Sequence, residues 1–217
     1  MKKQVVAIVG ILAATAIMIY LAALYGNRNR FDYLKDLDKT VFTLDGTDYQ
    51  LRDMTYYIAR QEMEIEKQAM VYWGLHTNGK FVRLEAKRAV LDRVVHDMMF
   101  YEAAKKEGIE LDEKEQQYAK DSASDLCYDL SDEQKERAGL TDEEIYEMTD
   151  KAALAEKYQK ILADKEGENF GAYDYNGKAY EKMLEEHKLK VKKKFWDKVP
   201  FGNVTLNHKF EDQEDEN

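Results

Sequence analysis

The chain opens on a stretch with no polar face and then settles into two periods, one short and strand-like, the rest helical. Val5 to Tyr25 runs 21 residues without a charge. A helix of that length, at about 1.5 Å per residue, spans the roughly 30 Å hydrocarbon core of a bilayer. Lys2 and Lys3 precede it, which predicts the N-terminus inside and the remainder outside. The alternative is a signal peptide cleaved near Leu21-Ala22-Ala23, although its apolar region is long for one. No Cys sits at the end of the segment, which excludes a bacterial lipoprotein. Both readings place residues 27–217 outside the cytoplasm.

Residues 27–39 read as a charged connector. Val41-Phe42-Thr43-Leu44, then Asp45-Gly46, then Thr47-Asp48-Tyr49 predict a two-residue hairpin, because Asp-Gly supplies the positive φ that such a turn needs. From Leu51 to Trp73 the period is helical. Met54, Ile58, Ile65, Ala69 and Tyr72 form one stripe, and Tyr56, Met63 and Met70 lie nearly opposite. A helix apolar on two faces is either central in a bundle or exposes one face to a partner. A loop at 74–79 precedes a helix over 80–106, stopped by Gly108. Asp112 with Glu115, Ser131 with Gln134 and Thr141 with Glu144 each mark a capped helix start. The last of these helices runs to Asp164. Residues 165–177 read as a loop, 178–199 as a helix ended by Pro200, and 203–206 as a strand returning to the hairpin. Residues 211–217 are acidic and expected to be disordered.

This pattern predicts a mainly α fold. An N-terminal membrane helix (1–26) and a connector (27–39) lead into a helical domain (40–208) whose two ends meet in a small antiparallel sheet. An acidic tail (209–217) follows. Composition agrees: one Pro and 11 Gly in 217 residues leave few helix breakers. The balance of 33 basic and 43 acidic residues gives a net charge of −10, against a nucleic-acid binder. A single Cys excludes an internal disulfide and a Cys-rich zinc site.

The stretch Leu91–Glu115, with Glu102, Ala103, Lys105, Lys106, Gly108, Ile109, Leu111, Asp112 and Glu115, resembles the N-terminal chaperone domain of the SurA/PrsA/PpiD group of extracytoplasmic foldases. Leu44-Asp45-Gly46 with Tyr49, Leu51, Asp53 and Tyr57 looks like the family's strand, turn and first helix. Gly139-Leu140-Thr141-Asp142-Glu143-Glu144 resembles its approach to a later helix. In many members a parvulin prolyl-isomerase domain follows that helix, where this chain has only residues 165–177. The resemblance implies a SurA N-like chaperone module without the isomerase, and so no enzyme. Its partners would be unfolded or newly secreted polypeptides, with the membrane reached through the N-terminal helix. The alternative is an envelope scaffold for one dedicated protein.

Candidate chemistry is sparse. His76, His96, His187 and His208 form no ligand pair, and no metal site or cofactor is expected. His96 is expected at the core edge or surface, and Cys127 as a half-buried helix residue. Lys188, Lys190, Lys192, Lys193 and Lys194 read as a solvated helix face. The paired acids read as helix starts and solvated faces. The feature left to carry function is the aromatic and methionine content, 15 Tyr and 9 Met. Such side chains adapt to varied apolar partners. Tyr56, Met63, Met70, Tyr72 and Trp73 are the candidate client-binding residues. For Tyr56, Met63 and Met70 an ordinary core role stays equally open.

Overall fold

The computed structural model describes residues 31–72, 79–202 and 204, with the side chains of 65–72 and 79–84 excepted. The expected membrane segment, Trp73 and the acidic tail lie outside the described residues. Among those described, no helix is long and apolar enough to cross a membrane.

The hairpin forms where the Asp-Gly pair placed it. Strand β1 (Thr40–Leu44) and strand β2 (Thr47–Gln50) pair antiparallel with Leu44 opposite Thr47. Asp45 and Gly46 hold φ at 51° and 92°. Val41 and Phe42 are fully buried, and the Phe42 ring stacks on Tyr49 across the strands at 4.7 Å. Strand β2 leads directly into helix α1 (Leu51–Tyr72). There Asp53 reaches back to accept from the Gln50 amide at 2.7 Å, filling one of the orphan donors of the first turn.

Helix α2 (Gly79–Glu107) lies next to α1 and packs along helix α5 (Asp142–Glu166). Their shared core includes Ile58, Val94, Phe100, Ile145 and Ala155, all fully buried. Tyr158 and Tyr180 set their ring edges against Phe100 at 5.7 and 5.9 Å. Helices α3 (Glu113–Asp129) and α4 (Asp132–Ala138) fill the interval between α2 and α5. All three predicted capping boxes are closed, with Asp112, Ser131 and Thr141 as caps. Gly139 ends α4 at φ 62°, and a Cβ there would stand 2.6 Å from a methyl of Leu37. Both facts keep a side chain out of that position.

The C-terminal third corrects the sequence reading. The helix expected over 178–199 stops early. Helix α6 (Lys178–Glu185) is followed by strand β3 (Leu189–Val191) and the single turn α7 (Lys193–Trp196). Strand β3, not 203–206, closes the sheet, pairing antiparallel with β1 so that Phe42 faces Val191. The strand order is β2-β1-β3. Val204 lies outside any strand, and the rest of 203–206 lies outside the described residues. Asp45 explains why the chain extends at this point. Its carboxylate accepts from the Lys188 amide at 2.8 Å, and its own amide donates to the Lys188 carbonyl at 3.2 Å. The lysine run therefore lies on an edge strand and a short turn, and charge on an edge strand discourages further strand addition.

Beyond α7 the chain is fastened to α1 and α2. Lys87 Nζ donates to the carbonyls of Asp197 and Val199 at 3.2 and 2.6 Å, beneath the buried Trp196. Burial pulls its pKa down to about 8, opposed by the Asp197 charge. A neutral amine keeps two N–H donors, so both bonds survive deprotonation. Between pH 8 and the unfolded value near 10.4, the unfolded chain binds a proton that the folded chain has released. Stability should therefore rise with pH through that window. Between pH 7.5 and 9.5, the full chain should gain on the order of 1 kcal/mol relative to Lys87→Gln in urea unfolding. Parallel pH dependences would show that Lys87 is not desolvated.

Candidate functional site

Helices α1, α2, α3 and α5 and the 3₁₀ turn Phe170–Tyr173 surround a cleft of about 760 Å³. That volume lies within the range of ligand-binding clefts. Helix α5 contributes short side chains, Ala152 and Ala153, which leave the space open. Two aromatic side chains of the lining stand in solvent, Tyr118 on α3 at 73% exposure and Phe170 at 44%.

Beneath this surface runs a chain of buried polar contacts. The Tyr57 hydroxyl donates to Asp97 Oδ2 at 2.9 Å. Asp97 Oδ1 lies 2.7 Å from His96 Nδ1, and His96 Nε2 lies 2.9 Å from the Tyr173 carbonyl. A carbonyl only accepts, so Nε2 donates. A separation of 2.7 Å between Nδ1 and a carboxylate oxygen requires a proton between them. Burial and the Asp97 charge push the Tyr57 pKa well above its ordinary value and keep its hydroxyl a donor. Neither imidazole nitrogen has a lone pair to offer a substrate. The group ties the 3₁₀ turn to α2 and is not arranged as a general base.

Arg60 and Arg93 lie above this chain. Arg60 donates to the Tyr56 hydroxyl at 3.0 Å, and its guanidinium lies 5.6 Å from the Tyr56 ring centre. Arg93 lies 5.6 Å from the ring centre of Tyr175. On the α3 side, Lys157 is occupied by Glu115 at 2.6 Å and by the Glu110 carbonyl at 2.8 Å. Among the described residues no three His, Cys, Asp or Glu side chains are grouped to hold a metal ion.

The structure places the sequence candidates unevenly. Tyr56 lines the cleft but is 1% exposed, with its hydroxyl bonded to Arg60 and Thr149. Met63 is half-buried and away from the cleft lining. The side chains of Met70 and Tyr72, and all of Trp73, lie outside the described residues. Met98 is core. His96, expected at the core edge or surface, is 3% exposed, because its ring packs against Phe100 and Tyr180 as well as bonding at both nitrogens. Sequence reasoning missed Arg60, Arg93, Tyr118 and Phe170. An aromatic inside an otherwise polar capped helix, as at Tyr118, was the available signal. Searches against models of protein families, curated proteins and solved structures find no match to the chain.

Proposed function

We propose that this chain is a membrane-anchored, extracytoplasmic chaperone-like protein that holds unfolded or newly secreted polypeptides in the cleft between α1, α2, α3 and α5. The observation that carries the reading is the cleft itself, open and mixed in character, with Tyr118 and Phe170 exposed on its lining. Aromatic side chains supply large contact area at low entropy cost, and neighbouring polar groups accommodate a backbone. Two further features support it. The order of hairpin, capped helices and closing strand is the order that the family resemblance implies. The interval between α5 and α6, where many members of that family insert an isomerase, is only residues 167–177. The mechanism is reversible contact, without nucleotide or covalent chemistry.

The test is binding of the full chain to two unrelated unfolded proteins, with the double variant Tyr118→Asp/Phe170→Asp alongside. Both side chains are exposed, so the variant should keep its urea midpoint. Binding to both clients should weaken by roughly tenfold, as expected for two lost aromatic contacts. Failure to bind either client removes the chaperone reading. Capture of one stoichiometric folded partner would then favour the scaffold.

A further inference from the structure

Three of the five arginines with described side chains are paired with carboxylates: Arg52 with Asp38 and Glu144, Arg88 with Asp92, and Arg137 with Glu133. The remaining two, Arg60 and Arg93, make no close ion pair with a described carboxylate, although Asp97 acts on Arg60 at longer range, and both line the cleft. In a chain with 43 acidic and 33 basic residues, a surface arginine has an excess of carboxylates to choose from. Two that take none stand in one cleft, whose lining otherwise balances three lysines against five acids.

The neighbouring acids have other partners, including Glu64, which also lines the cleft one turn from Arg60. Asp97 is committed to His96 and Tyr57. Glu115 is taken by Lys157, and Asp174 accepts from the Tyr175 amide at 2.8 Å. Glu156 and Lys160 are both exposed one turn apart on α5 and offset each other. Each guanidinium is also shelved on a tyrosine, Arg60 on Tyr56 and Arg93 on Tyr175. That support fixes a planar group while most of its five N–H donors stay open.

We propose that Arg60 and Arg93 form a carboxylate-binding fork, so that the cleft favours polypeptide segments carrying a carboxylate, from an Asp or Glu side chain or from a chain terminus. The inference rests on the cleft being a polypeptide site. Arginine is suited to the role because its fork matches both oxygens of a carboxylate. Held on aromatic rings, it loses less rotamer freedom on binding than a lysine would. The same two guanidinium groups disfavour basic segments beside them, so the cleft sorts chains by charge as well as by apolar content.

The experiment measures fluorescence anisotropy of labelled unstructured peptides with the full chain. One peptide has a Phe-Asp-Asp centre and a free C-terminus. A second has Asn for both Asp, a third has an amidated C-terminus, and a fourth has both changes. The first should bind at least about tenfold more tightly than the fourth, since hydrogen bonds to charged groups are the strong ones. The second and third show which carboxylate is used. The advantage should shrink with added salt and fall to near one in Arg60→Gln/Arg93→Gln. Equal binding of the first and fourth peptides, or a preference that survives the double arginine change, overturns the fork. If binding is equal but still sensitive to Tyr118→Asp, the polypeptide cleft stands and only its charge preference fails. If no peptide binds, the cleft reading falls and the fork with it.

Discussion

Glu62→Leu should destabilise the protein by about 3 kcal/mol and loosen the segment after Pro200. Glu62 is fully buried on α1, and its carboxylate accepts from the amides of Gly202 and Val204 at 2.6 and 3.2 Å. Both of those residues are buried. Leucine fills nearly the same space, so the cavity cost is small. Two buried donors would then lack an acceptor, at roughly 1–3 kcal/mol each, partly recovered if the segment detaches into water. Glu62→Gln keeps an oxygen in place and should cost only about 1 kcal/mol. Urea unfolding gives the stabilities, and amide hydrogen exchange at Gly202 and Val204 locates the effect. If exchange there is unchanged in the leucine variant, Glu62 does not hold this segment.

His96→Phe should cost on the order of 2–4 kcal/mol, by a different route. Phenylalanine keeps the ring contacts with Phe100 and Tyr180. It removes both nitrogens, leaving Asp97 with only the Tyr57 hydroxyl and the Tyr173 carbonyl without its donor. A largely buried carboxylate stripped of its partner is the dominant loss. The effect should concentrate in the 3₁₀ turn, so limited proteolysis within residues 167–177 should accelerate while the sheet stays protected. Tyr57→Phe, which removes one hydrogen bond from the same carboxylate, should cost about 1 kcal/mol. A His96→Phe protein as stable as the parent would mean that this polar chain contributes nothing net.

Local signals in the sequence were the ones that carried over. The Asp45-Gly46 turn, the three capping boxes and the stop at Gly108 each depend on a few adjacent residues, and each formed where expected. The closing strand was missed because lysine and glutamate are good helix formers and no Gly or Pro interrupts 178–199. The short alternation Leu189-Lys190-Val191 was present but is decided by Asp45, some 140 residues away. The cleft was less legible still. Tyr56 is spaced as a groove residue, yet its hydroxyl finds Arg60 and Thr149 and is buried with them. Neighbouring residues on a helix ordinarily point apart, so nothing in the sequence joins His96 to Asp97. Glu62 reads as one more solvated acid until the chain's far end folds back onto it.

Strand β1 sits between β2 and β3, and this placement sets an order in time. Its second edge stays open until residue 191 has been made. At about 5–20 residues per second, the roughly 140 residues separating Gln50 from Leu189 take on the order of 10 s to synthesise. Hairpins form in about microseconds, so β1 and β2 are paired long before then. Through those seconds Phe42 and Val41 border an unpaired edge, the kind of template on which chains aggregate. Sequence-distant pairing is also slow to form once the partner exists. Until its third strand arrives, the nascent chain has the same vulnerability as the polypeptides it is proposed to hold.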